Sequence, residues 1–250
     1  MDFGFKLSNK KSGLLINFEE GIANWKRYVS EMIKDKVILD LKSAKDFLDK
    51  NGDMIVYELY NLWKSVKDVK KVYRSTGITC DVTCLNFGLF SNYNKGELFS
   101  TYGHAHEKDY GEVFKVIKNE CFIVLADRKT YETYIAHLKE KDVIFIHPRF
   151  IHRLVSYKRD SIIINFVPKE AGHNYIIVKN KGFPFHLFYD KKKKKLEIKH
   201  NRKYSTKKYK ILKRRKRSLD PMKLFEKNPE KLKDILENPE KYRKLYFIKN

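Results

Sequence analysis

Cysteine is scarce in this chain: Cys80, Cys84 and Cys121 are the only three in 250 residues, with no C-x-x-C pair among them. That excludes a disulfide framework and a cysteine-built zinc ribbon, and it fits reduced thiols in a cytoplasm. Long apolar runs are missing as well, so no segment offers the ~20 residues a membrane-spanning helix needs. The first residues, Met1-Asp-Phe-Gly-Phe-Lys, lack the apolar stretch and cleavage site of a secretory signal. A cytoplasmic protein is therefore expected. Acidic residues run short in one region only. Residues 1–190 carry 30 Lys/Arg against 24 Asp/Glu, whereas residues 191–250 carry 24 against 7. The formal net charge of +23 is thus mostly a property of the last sixty residues. A basic tail of that kind either binds a polyanion, RNA above all, through its phosphates or is simply a solvated lysine-rich appendage.

Helical periodicity is absent from residues 78–168. The pattern there predicts strands at 78–87, 97–106, 112–118, 121–127, 131–138, 142–147, 153–157 and 161–167, and two more follow at 174–179 and 184–189. Short strands at this spacing, without the helices of a βαβ unit, imply an antiparallel sandwich or closed barrel. With 42% hydrophobic and 14% aromatic residues, a substantial core can form. Ahead of this region, Gly13 to Phe18 reads as a strand and Glu19-Glu20-Gly21 as a turn. Residues 22–33 read as a helix or an irregular arm. Ser43 is placed to cap a helix running through Phe47 and Leu48 to Asn51-Gly52, and Met54 to Trp63 reads as a strand.

The organisation expected is a β domain over residues 1–190 with an N-terminal arm, and a lysine-rich extension with short helices over 191–250. The extension opens with five lysines at 191–195, and Lys213-Arg-Arg-Lys-Arg217 forms a second basic cluster. Asp220-Pro221, Asn228-Pro229 and Asn238-Pro239 each place a capping residue before a proline, a repeated helix-start signal. Leu232, Ile235 and Leu236 share one helical face, as do Tyr242, Leu245 and Tyr246, and those faces need something to bury against.

The chemistry-bearing stretch is Thr101-Tyr-Gly-His104-Ala-His106-Glu-Lys-Asp-Tyr-Gly-Glu112. Residues two apart on an extended chain point to one face, so the rings of His104 and His106 can act together. Lys108, Asp109 and Gly111 supply a turn that can bring Glu112 back beside them. His152, after Pro148, adds a third imidazole; His147 has a poorer position, and His137, His186 and His200 have no partner spacing. A lone histidine on a half-exposed sheet is ordinary, but this constellation is not. Three neutral imidazoles and one carboxylate suit one divalent ion such as Fe2+, Mn2+, Ni2+ or Zn2+, with positions left for substrate.

The chain resembles the cupin-type, metal-dependent glucose-6-phosphate isomerases. The similar segments occur in order: Asn17-Phe-Glu-Glu-Gly-Ile22, Val56-Tyr57-Glu-Leu-Tyr60, the Gly-His-x-His stretch with Glu112-Val-Phe, and Pro148 through His152-Arg153 to Ala171-Gly-His173-Asn-Tyr175. The last segment is the most particular, and the resemblance covers about residues 13–190. It implies a cupin jelly-roll barrel, a cytoplasmic homodimer, and a sugar phosphate as substrate. It implies that His104, His106, Glu112 and His152 hold the metal and that Glu112 also carries the proton. Thr83, Thr101 and the backbone of Gly103 would hold the phosphate, with Tyr57, His173 and Tyr175 at the sugar end. Two positions depart from the family's pattern, because Phe114 and Val167 stand where it has tyrosine. The turn Lys118-Asn119-Glu120-Cys121 also replaces a glycine-rich one.

Three functions follow from these residues. The first is an aldose–ketose isomerase interconverting glucose 6-phosphate and fructose 6-phosphate. The second is a cupin that binds metal and sugar phosphate without turnover, as a binding or regulatory module, motivated by Phe114, Val167 and the tail. The third is a non-haem iron oxygenase, against which the His173-Asn-Tyr175 segment speaks.

Overall fold

The computed structural model describes residues 1–10, 13–18, 21–22, 24–213 and 219–246. The expected turn at Glu19-Glu20 and four residues of the basic cluster, 214–217, lie outside those described. Four β-sheets and six short helices make up the rest. In chain order they are β1 (Phe5–Lys10), β2 (Gly13–Phe18), β3 (Asn24–Tyr28), α1 (Val29–Lys34), α2 (Leu41–Asn51), β4 (Ile55–Asn61), α3 (Leu62–Ser65), α4 (Lys67–Thr76) and β5 (Ile78–Leu85). There follow β6 (Lys95–Glu97), β7 (Glu112–Lys118), β8 (Glu120–Asp127), β9 (Thr133–Lys139), β10 (Val143–Ile146), β11 (Phe150–Ser156) and β12 (Ser161–Pro168). The chain ends with β13 (Phe185–Asp190), β14 (Lys195–His200), β15 (Tyr209–Leu212), α5 (Pro221–Lys227) and α6 (Pro229–Glu237).

The largest sheet has the order β10-β7-β12-β5-β4-β3, and a four-stranded sheet runs β11-β8-β9-β15. Their inner faces share one core, to which Val116 and Ile163 contribute from the first sheet and Ile123 and Leu154 from the second. A third sheet, β14-β13-β6, and the β1-β2 hairpin complete the mostly-β architecture. Strand β12 is buried along its whole length because both faces are covered. Ile162, Ile164 and Phe166 point outward into a second core beneath the helices, while Ile163 points inward. The same alternation holds in β5, where Ile78, Cys80 and Val82 face outward.

Several local expectations change. Helix α2 starts two residues before Ser43, because the Asp40 carboxylate takes the cap and accepts from Ser43 N at 3.1 Å. Residues 24–34 divide into β3 and α1 instead of forming one helix or arm. The strand expected at 174–179 is a turn, since Val178 N and Lys179 N both donate back to Tyr175 O at 3.1 Å; only Asn174 bridges, to Ala105. The strand expected at 97–106 shrinks to β6 and a series of single bridges, including His104 to His152. Among the described residues, no helix is long and apolar enough to cross a membrane.

Much of the basic segment that is described, residues 191–213 and 219–246, is built onto the sheets. Strand β14 pairs with β13, and β15 pairs in parallel with β9. Helix α5 is capped by Asp220, which accepts from Met222 N at 3.0 Å, and α6 by Asn228, which accepts from Lys231 N at 3.1 Å. The third of these pairs, Asn238-Pro239, opens only a turn, because the Asn238 amide reaches back to Asp234 O at 3.2 Å and so closes α6. Phe225, Leu232, Ile235, Leu236 and Tyr246 are buried against the outer face of the large sheet, with Val113, Phe145 and Phe166 beneath them. Gly111 N donates to Leu236 O at 2.7 Å, tying α6 to the loop that precedes Glu112. Replacing Leu236, fully buried, by alanine is expected to cost about 2–5 kcal/mol in denaturant unfolding. A loss below about 0.5 kcal/mol, the level of a surface substitution, would mean that α6 does not cover this face.

Candidate metal centre

His104, His106, Glu112 and His152 converge so that one ligand atom from each lies within 4.8 Å of all the others. Each arrives differently. Glu112 opens β7 and points inward, and His152 sits on β11 in the facing sheet. Two backbone hydrogen bonds fasten His104 to His152, His104 N to His152 O at 3.2 Å and His152 N to His104 O at 3.0 Å. The turn before Glu112 holds His106, whose Nδ1 meets the Tyr110 carbonyl at 2.6 Å. A carbonyl can only accept, so Nδ1 carries a hydrogen and Nε2 is the nitrogen turned to the cluster.

Glu112 Oε2 is the common neighbour, 2.9 Å from His152 Nε2, 3.2 Å from His106 Nε2 and 4.0 Å from His104 Nε2. Its other oxygen, Oε1, accepts from Asn165 Nδ2 at 2.7 Å. Burial alone would push the carboxyl upward, but the imidazoles of His106 and His152 hold it well below the usual carboxylate range. Burial and the neighbouring rings of His152 and His173 hold His104 well below the usual imidazole range, so it is neutral at pH 7. His104 Nε2 and His152 Nε2 are buried without a hydrogen-bond partner, the 2.9 Å approach to Glu112 lacking the required direction. Buried nitrogen lone pairs left over around a buried carboxylate are costly unless something bonds them. Nitrogen and oxygen donors of this kind fit one borderline divalent ion.

The cluster lies at a cavity of about 280 Å³ whose wall includes His104, Glu112 and His152. Tyr57, Thr83, Thr101, Gly103, His173 and Tyr175 line it too, so only His106 among the expected site residues is absent from that wall. The His173 ring stands 4.4 Å from that of His104, and the Tyr175 ring 5.5 Å. Burial pushes the Tyr175 phenol up to about 12 and raises that of Tyr57 although the Arg27 guanidinium pulls it down. Both phenols therefore keep their protons at pH 7 and can donate. Thr101 Oγ1 accepts from Leu154 N at 3.0 Å, which leaves its own O–H to donate. Gly103 is left-handed, at φ +84°, and a side chain there would strike Phe183. Phe114 packs on the ligand side, its ring 5.8 Å from His152.

Other histidines stand apart. His147 pairs with Glu240 at 3.0 Å and takes no part in the cluster. His186 is fully buried, not a surface residue, because Glu97 meets its Nδ1 at 2.5 Å. Three residues of the site went unread in the sequence. Arg27 lies over Tyr102, 5.3 Å from the ring centre, and beside Tyr57. Asn165 holds Glu112, and Asp81 lies on the cavity wall. The signal was available for Asp81, which with Thr79 and Thr83 alternates with apolar residues along β5.

A mostly-β domain of cupin type, with three histidines and a glutamate at the end of a cavity, is the class that this fold and site define. The chain belongs to the glucose-6-phosphate isomerase family, whose model, described as "Glucose-6-phosphate isomerase (GPI)", matches residues 31–204. Relatives named glucose-6-phosphate isomerase include one from Thermococcus litoralis, 27% identical over 68% of this chain and 85% of its own length. One from Pyrococcus furiosus is 25% identical over 68% of this chain and 86% of its own. Among solved structures, a mutant oxalate decarboxylase of Bacillus subtilis aligns with a TM-score of 0.33 and 14% identity, over 44% of this chain and 25% of that one.

Replacing His104 and His106 together by alanine should abolish binding of the single ion expected per chain, read by elemental analysis after dialysis. Protons should compete for the His104 nitrogen only in solution more acidic than the ordinary imidazole range, because that ring is held well below it, so wild-type affinity should fall only there. Full occupancy in the double variant would rule out this ligand set.

Proposed function

We propose that the protein interconverts glucose 6-phosphate and fructose 6-phosphate with one divalent ion, Fe2+, Mn2+, Ni2+ or Zn2+, held by His104, His106, Glu112 and His152. The observation that carries the reading is the convergence of those four donors on a cavity whose remaining polar groups suit a sugar phosphate. Tyr57, His173 and Tyr175 offer uncharged hydrogen-bonding groups to the sugar. Thr83 and Thr101, with the backbone at Gly103, offer donors to the phosphate. Lys64 and Lys169, which flank the Trp63 ring at 5.1 and 5.2 Å, bring two ammonium groups to the same cavity, as an anionic substrate requires. In the tail, the exposed lysines at 191–195 are where RNA or another polyanion would be met, and two copies of the chain would associate as a homodimer.

Isomerisation moves one hydrogen between C1 and C2 while charge develops on the attached oxygens. A divalent ion supplies Lewis-acid stabilisation of that charge. Glu112 is ionised, buried and fixed by Asn165, and so is placed to take a proton from one carbon and return it to the other. Hydrogen passing directly from carbon to carbon would need no such base. Chelation should abolish turnover and leave the far-UV circular dichroism unchanged, because the two cores do not depend on the ion. Glu112→Gln, assayed beside its metal content, is expected to lose about 100- to 10,000-fold in kcat at matched occupancy. Wild-type turnover with metal retained would exclude Glu112 as the proton carrier.

A further inference from the structure

The inner face of the large sheet is a grid whose rows can be read from its register. Asp81 is paired with Asn61 on one side and with Asn165 on the other, and Asn165 is paired in turn with Phe114. One row across four adjacent strands therefore runs Asn61, Asp81, Asn165, Phe114. All four line the metal-site cavity. On one side of this row lies that of Thr79 and Val167, which are paired, with Glu112 at the next position on β7. On the other side lies the row of Leu59, Thr83 and Ile163. Successive rows on one face are about 6.6 Å apart. A substrate reaching from the metal ligands to Thr83 must pass over the row of Asp81.

The polarity of this row is unusual for its depth. Asn61, Asp81 and Asn165 are each only 7–8% exposed, and what exposure they have is to the cavity. Asn61 Nδ2 donates to Asp81 Oδ1 at 2.7 Å. The Trp63 side chain also hydrogen-bonds Asp81, and the Lys64 ammonium acts on it from the cavity wall. Burial pushes the Asp81 carboxyl up to about 7 although Asn61 and Trp63 pull it down. Above that pH it is a carboxylate that accepts hydrogen bonds from a hydroxyl-bearing ligand, and such bonds to charged groups are the strong ones. The row also adjoins two apolar positions of the cavity wall, being paired directly with Phe114 and lying one row from Val167.

We propose that Asn61, Asp81 and Asn165 form the wall that recognises the middle hydroxyls of the sugar. Asp81 is its principal acceptor. Asn165 serves both the wall and Glu112, so it is the wrong residue to test first. This assignment rests on the sugar-phosphate reading of the cavity.

The test is calorimetric titration of the metal-loaded wild type, Asp81→Ala and Asp81→Asn with fructose 6-phosphate and, separately, with inorganic phosphate. Thermal unfolding of each variant confirms that it is folded, and Asp81→Asn keeps an acceptor for Asn61 if the alanine variant is not. At pH 8.5, above the raised Asp81 carboxyl, Asp81→Ala should weaken fructose 6-phosphate about 10- to 100-fold, from the loss of hydrogen bonds to a charged group. Asp81→Asn should weaken it less, and inorganic phosphate should change by less than twofold in either. In turnover assays the loss should appear in KM more than in kcat. Unchanged affinity for fructose 6-phosphate overturns the proposal, as does an equal fall for both ligands, which would mark a general collapse of the cavity. Wild type that binds fructose 6-phosphate without converting it would end the isomerase reading alone, because the affinity ratios would still judge the wall.

Discussion

Everything in the site depends on keeping one carboxylate charged inside the protein. Glu112 is 1% exposed, and its ionised form survives there only because both oxygens are occupied. Asn165 takes one of them, and the other faces the imidazoles of His106 and His152, whose contact holds the carboxyl low. Desolvation of a lone buried carboxylate would otherwise neutralise it. This constraint accounts for the order of construction. Strands β7 and β12 must lie side by side to bring Asn165 to Glu112, β11 must face them to bring His152, and the turn after His106 must be short and tied down. The outer helices contribute to that last requirement, since α6 accepts from Gly111 N immediately before the carboxylate.

Much of the centre was legible in the sequence because metal ligands come in spacings that few other features produce. His104 and His106 two apart, Glu112 across a turn, and His152 beyond a proline identified the four donors that the fold assembles. The strands of the β region were legible too, from their length and the lack of helical periodicity. What was hidden is instructive. In β5 the run Thr79, Asp81, Thr83 alternates with Ile78, Cys80 and Val82, a pattern that reads as one wet face and one dry face. The wet face is an internal cavity, and the dry face is covered by helices. Alternation in sequence distinguishes polar from apolar sides, but it does not distinguish solvent from a binding site. Asn165 was hidden by the opposite effect, a single polar residue within Ile162 to Val167, where both faces of the strand are buried.

The tail shows a different limit. Its charge dominated the composition, yet its few apolar residues decide where it goes. Leu232, Ile235 and Leu236 dock α6 on the sheet, and β14 and β15 are held by backbone pairing that hardly depends on side-chain charge. The lysines remain outside, at the turn between β13 and β14 and along the exposed edges. The family match ends at residue 204, so α5 and α6, which cover an apolar face of the large sheet, lie beyond it.

The most direct measurement is to follow fructose 6-phosphate in heavy water by proton and carbon NMR with the metal-loaded protein. The account predicts approach to the same sugar-phosphate ratio from either side, at a rate proportional to metal occupancy, with deuterium entering at C2 of glucose 6-phosphate as Glu112 exchanges its proton. Binding with no interconversion at full occupancy would contradict it.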